Sequence, residues 1–225
     1  MSDAQTSSSP TPSPSPADSE MGAPARKRPK PGERRVQILQ ALATMLEQPG
    51  AERITTAALA ARLAVSEAAL YRHFASKAQM FEGLIEFIEQ TVFSLVNQIT
   101  ERESVAVAAD AAAPTRQASQ VVTMLMQFAE KNPGMTRVMV GDALVFENER
   151  LQQRMNQFFD KIEATLKQSL RGAAELSGSA TPSVDAQVRA SVLTAFVVGR
   201  LQRFARSNFK RMPSEHLEAS LALIL

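Results

Sequence analysis

Large apolar residues recur at three- and four-residue spacing along most of this chain, and nowhere do they alternate with period two for long. The pattern predicts an all-α protein. A first helix is expected from Arg34, with Ile38, Leu39, Leu42, Met45 and Leu46 on one face, ending at Pro49-Gly50. A second, short helix starts at Thr55 or Thr56, either of which can cap it, and runs to about Leu63. After a turn at Leu63-Ala64-Val65, Ser66 caps a third helix over residues 67–72, with Leu70 and Phe74 facing the core. Ser76 and Gln79 have the spacing of a capping box and open a long fourth helix, residues 77–100.

Residues 101–113 read as a loose connection, followed by a fifth helix over 114–131. Asn132-Pro133 marks a break and a fresh start, with Asn as cap and Pro in the first turn of a sixth helix reaching about Leu144. A seventh helix, 147–171, is expected to stop at Gly172, and 172–182 is a small-residue linker. Helix eight spans 183–209, and a last helix spans 214–225 after Pro213. No internal repeat is visible. The organisation is thus a tail over 1–33, a compact helical unit over 34–80 and a larger helical domain over 81–225.

Composition sharpens this in two ways. The tail is rich in Ser, Pro and Thr and poor in large apolar residues, so it cannot bury enough surface to offset chain entropy and is expected to be disordered. The net charge of the 225 residues is only +2, but residues 26–77 hold ten Lys or Arg against four acids, while 78–225 are close to neutral. The positive field therefore surrounds the short helices and favours a polyanion. The basic run Arg26, Lys27, Arg28, Lys30, Arg34 and Arg35 is either a solvated tail or an arm that touches DNA. Cysteine is absent, which removes disulfide and thiolate chemistry. No apolar run approaches the ~18 residues of a membrane span, so a soluble, cytoplasmic protein is expected.

Catalysis has little support. His73 and His216 are far apart and lack metal-ligand spacing, and no glycine loop could cradle phosphates. Glu147 and Glu149 read as solvated helix surface. No cofactor or metal is expected. A DNA-reading helix needs small residues at its start and longer polar groups beyond. Ser66, Glu67, Ala68 and Ala69 supply the first; Tyr71, Arg72 and His73 supply the second. Thr55 and Thr56 can donate to phosphate, and Lys77 can reach the backbone from the other side. The alternative is that Tyr71 and His73 merely pack the three-helix unit.

The block from Ile54 to Phe81, with Tyr71-Arg72-His73-Phe74 and Ser76-Lys77, resembles the DNA-binding domain of the TetR family. Many relatives carry Gly where this chain has Ala64; if the turn is left-handed there, alanine costs on the order of 1 kcal/mol. The segments Phe81–Glu89 and Glu130–Ala164 extend the resemblance to the nucleoid occlusion branch of that family. The resemblance implies a homodimer, joined through its last two helices, on palindromic double-stranded chromosomal DNA. It also implies antagonism of the tubulin-like division GTPase FtsZ, whose tail would lie in a groove between helices four and five. The corresponding residues are Phe87, Met124, Gln127, Lys131 and Asn132; Phe87 could equally be packing between those helices. A ligand-responsive TetR-type repressor, with an enclosed pocket in the C-terminal domain, is the competing reading.

Overall fold

The computed structural model describes residues 32–48, 54–106, 110 and 112–225. The tail, most of its basic end and the Pro49-Gly50 stop lie outside the described residues. Those described are helical, without strands. Helix α1, Glu33–Leu46, buries Ile38, Leu42, Ala43 and Leu46. Helix α2, Thr56–Arg62, and helix α3, Glu67–Tyr71, complete the N-terminal unit. The turn between them is closed by Val65 N–H to Ala60 C=O and by Ala64 N–H to Ala61 C=O. This pairing leaves Ala64 left-handed, at φ 51°. The position usually given to glycine is thus left-handed here as well.

Helix α4, Lys77–Ala106, runs from this unit into the larger domain. It is one and a half turns longer than the pattern predicts. Glu103, buried in the stretch read as loose, accepts from Arg116 Nε at 3.1 Å and from Gln120 Nε2 at 3.0 Å. Those bonds tie the extra turns to helix α5, Ala113–Lys131. Helix α5 is the buried centre of the domain and packs against α4, α6, α7 and α8. Helix α6, Pro133–Met139, is shorter than expected; Gly141 at φ 83° ends it, and a 3-10 turn at Asp142–Leu144 follows. Asn132 does not cap α6 with its side chain. Its Nδ2 instead donates backwards to Phe128 C=O at 2.8 Å, closing α5.

Helices α7, Glu149–Leu176, and α8, Pro182–Arg206, form the long hairpin that dominates the body. Helix α7 passes through Gly172 instead of stopping there. One glycine costs about 1 kcal/mol in a helix, and burial of Leu170 and Ala174 on either side outweighs it. The left-handed residue that ends α7 is Gly178, at φ 74°. Helix α8 ends three residues early because Asn208 and Phe209 are both left-handed, at φ 53° and 63°. Helix α9, Leu217–Ile224, is short.

The N-terminal unit is seated directly on the body. Helix α6 packs on α1, and a Cβ built on Gly134 would fall 1.9 Å from the carbonyl oxygen of Ala43. Only glycine permits that approach.

Candidate DNA interface and partner groove

Helix α3 presents its expected face. Ser66 Oγ accepts from Ala69 N–H at 3.3 Å, so the cap is made. Glu67, Ala68 and Arg72 are exposed, and Tyr71 is 45% exposed, too open for a core residue. The threonines divide their work. Thr55 caps α2, its Oγ1 accepting from Ala58 N–H at 3.1 Å. Thr56 sits one residue inside and donates to Glu67 Oε2 at 2.6 Å, while Tyr71 OH lies 3.5 Å from Thr56 Oγ1. This chain of polar contacts fixes α3 against α2. It also gives the Glu67 carboxylate a hydrogen-bond donor.

His73 is half-buried, and its backbone carbonyl accepts from Arg35 Nη1 at 2.6 Å. The Arg35 guanidinium stacks 4.2 Å above the Phe74 ring. Arg35 therefore belongs to the packing of the three-helix unit rather than to a free basic arm, because the aromatic face and the carbonyl together satisfy it. Lys77 is also engaged. Its Nζ lies 2.5 Å from Glu147 Oε1. Glu147 is no solvated surface residue: its side chain is 9% exposed, held in the segment between the 3-10 turn and α7. An α4 cation and a carboxylate 70 positions away thus meet where the N-terminal unit joins the body.

The five expected partner residues do not form one cluster. Phe87 is 46% exposed on α4, which removes the packing reading for it. Met124 and Gln127 line a groove of about 650 Å³ with Ile99 of α4 and Leu221 and Leu225 at the C-terminal end. Lys131 is exposed and Asn132 half-buried at the end of α5; neither lines that groove, nor does Phe87. Periodicity could mark Met124 as apolar, but the α9 wall of the groove comes from residues a hundred positions away and carries no local signal.

A second group escaped the sequence reading. Arg116 Nη1 lies 2.6 Å from Asp110 Oδ2, and its Nη2 lies 2.9 Å from Glu103 Oε2. The hydrogen bond from Arg116 depresses both carboxyls below their usual range, helped at Asp110 by Ala112 N–H and at Glu103 by Gln120. The two carboxylates in turn raise Arg116. Across the body, Arg154 of α7 donates to Glu89 of α4 at 3.2 and 2.6 Å. Among the described residues, no group of three or more His, Cys, Asp or Glu is placed to hold a metal, and no helix is long and apolar enough to cross a membrane.

Comparison with known proteins agrees with this geometry. Residues 38–84 match the bacterial regulatory proteins of the tetR family, and residues 115–225 match the tetracyclin repressor-like C-terminal domain of SlmA-like proteins. The nucleoid occlusion factor SlmA of Aliivibrio fischeri is 50% identical over 197 residues, covering 87% of this chain and 96% of that protein. That of Idiomarina loihiensis is 49% identical over 186 residues, covering 83% and 90%. Among solved structures, the transcriptional regulator FadR from Bacillus subtilis, in complex with stearoyl-CoA, superposes with a TM-score of 0.65 at 14% identity, covering 84% of this chain and 96% of that one. The TetR family regulator PfmR from Thermus thermophilus gives 0.62 at 20%, covering 84% and 97%. These structural likenesses establish the fold alone. The sequence relatives go further: the chain belongs to the TetR family, within the group of SlmA nucleoid occlusion factors.

Proposed function

We propose that this protein is a DNA-bound inhibitor of division over the nucleoid: a homodimer that reads chromosomal palindromes through α3 and acts on FtsZ through the α4–α5 surface. The observation that carries the reading is an identity of 50% that runs through both the DNA-binding unit and the C-terminal domain. A relative that shared only DNA binding would match the first and not the second.

The geometry supports named roles. Backbone amides at the start of α3 and the Thr55 hydroxyl meet phosphate, while Tyr71 and Arg72 reach phosphate or base edges. Small Ala68 lets the helix approach the groove. His73 braces α3 through its carbonyl. Lys77 reaches the backbone by exchanging the Glu147 carboxylate for a phosphate. On the other surface, Met124 and Gln127 line the groove, while outside it exposed Phe87 of α4 offers an apolar contact and Lys131 and Asn132 at the end of α5 offer polar ones. A peptide part apolar and part acidic suits that combination.

The test uses purified full-length protein, a palindromic duplex and FtsZ polymers followed by light scattering. Polymer loss that depends on the duplex, and that disappears in Phe87→Ala while DNA binding persists, is the expected result. No effect on polymers together with no binding of the FtsZ tail peptide sinks the reading. Genome-wide mapping then separates the roles: sites spread over the chromosome fit nucleoid occlusion, whereas sites confined to one promoter point to a ligand-responsive repressor.

A further inference from the structure

Near the corner where α6 meets the end of α8, a buried positive charge goes unanswered. Arg137 is only 8% exposed, yet no carboxylate of the described residues lies within ion-pair distance of it. Its Nη2 donates to Asn208 Oδ1 at 3.1 Å. Its Nε is buried with no acceptor at all. The guanidinium also stands over the Phe209 ring, whose centroid lies 5.0 Å from Cζ. Buried charges in proteins are paired or hydrogen-bonded, because desolvating one without a partner costs several kcal/mol.

The surroundings supply a place for the missing partner. Arg137 and Asn208 line a cavity of about 370 Å³ together with Arg206, Asp142, Val145 and Ala205. Arg206 stands in the last turn of α8 and has no ion pair among the described residues. Two arginines lining one cavity are suited to an oxyanion, since each guanidinium offers a planar fork of donors. The volume is several times the ~30 Å³ of a water molecule, enough for phosphate or a short carboxylate.

We propose that this cavity is a binding site for a small oxyanion, a carboxylate or a phosphate, held between Arg137 and Arg206. Asp142 sets the charge of the ligand. With two guanidiniums and one carboxylate the lining carries a net +1, so a monoanion neutralises it and a dianion meets repulsion from Asp142. The site lies apart from the α3 face and from the groove lined by Met124 and Gln127, and it does not depend on the reading of either.

Titration calorimetry and thermal unfolding of the full-length protein, at constant ionic strength with chloride as the reference anion, test this. The probes are inorganic phosphate and acetate. A saturable heat and a rise in Tm with either anion above the chloride control is expected, and which one acts identifies the source of the oxyanion. Arg206→Gln, an exposed position that leaves the fold intact, should weaken that binding about tenfold or more, the worth of a charge-assisted hydrogen bond. Arg137→Gln should abolish it. If Arg137→Gln does not fold, Arg206→Gln alone decides. Absence of saturable binding by both anions overturns the proposal, and so does binding that Arg206→Gln leaves unchanged, because the anion would then sit elsewhere, for instance on the α3 face.

Discussion

Ala64 carries a cost that the turn does not require. Its left-handed backbone, at φ 51°, is roughly 1–2 kcal/mol unfavourable for an L-residue with a Cβ. Glycine would remove that strain and return part of the gain through its freer unfolded chain. Ala64→Gly should therefore stabilise the protein by about 0.5–1 kcal/mol, read from urea unfolding, without changing which DNA is bound. Glu147 is the second informative residue. Neutralising it as Glu147→Gln frees the Lys77 ammonium for phosphate. DNA affinity should rise several-fold and the dependence of log K on log salt should steepen by about one phosphate contact, measured by fluorescence anisotropy between low and moderate salt. Unchanged affinity and slope would mean that Lys77 does not meet DNA. The sequence marked Lys77 through its place in a motif, but nothing local marks Glu147, whose burial follows only from how the 3-10 turn returns to the start of α4.

At the scale of elements, most of the fold was legible. Caps at Thr55 and Ser66, the Ser76–Gln79 box and a 3.6-residue period located α1, α2, α3, α5 and the start of α4 closely, because these signals act within one turn of the chain. The departures came where distant contacts overrule local preference. Helix α7 passes Gly172 because burial of its neighbours is worth more than one glycine costs. Helix α4 overruns its expected end because Arg116, 13 positions beyond Glu103, holds that carboxylate; the same guanidinium also binds Asp110. That clasp predicts a pH dependence. Both carboxyls are depressed in the folded protein, so they bind fewer protons folded than unfolded, and stability rises with pH through the acid range. The contribution is complete above the ordinary carboxylate values, about pH 4–5, and is lost as pH falls through the depressed ones. Arg116→Gln should shift the acid-unfolding midpoint towards neutral, followed by circular dichroism at 222 nm, with the loss centred on the ends of α4 and α5.

The whole molecule presents an unfinished surface. Val184, Val188 and Val192 stand exposed one turn apart on α8, with Ala195 exposed beyond them and open space over Gly199. A stripe of this kind on a folded helix is a surface for another helix, and a second copy would complete it by two-fold pairing. The stripe lies on α8, one of the last two helices through which the resemblance implies pairing. The double variant Val188→Glu with Val192→Glu should sediment as a monomer. Its affinity for a palindrome should fall on the order of a hundredfold, to that of one half-site, while its helicity is retained. A dimer that survives both charges would move the interface elsewhere.

The contact between Gly134 and the carbonyl of Ala43 bears on how such a dimer measures DNA. With no side chain between them, the backbone of α6 lies directly against the backbone of α1. In the proposed dimer, two units seated this closely on their bodies would act as the jaws of a set caliper. Their opening would then be set by the protein, so a palindrome with one base pair added at its centre should bind more weakly, out of span by about 3.4 Å and out of phase on the helix.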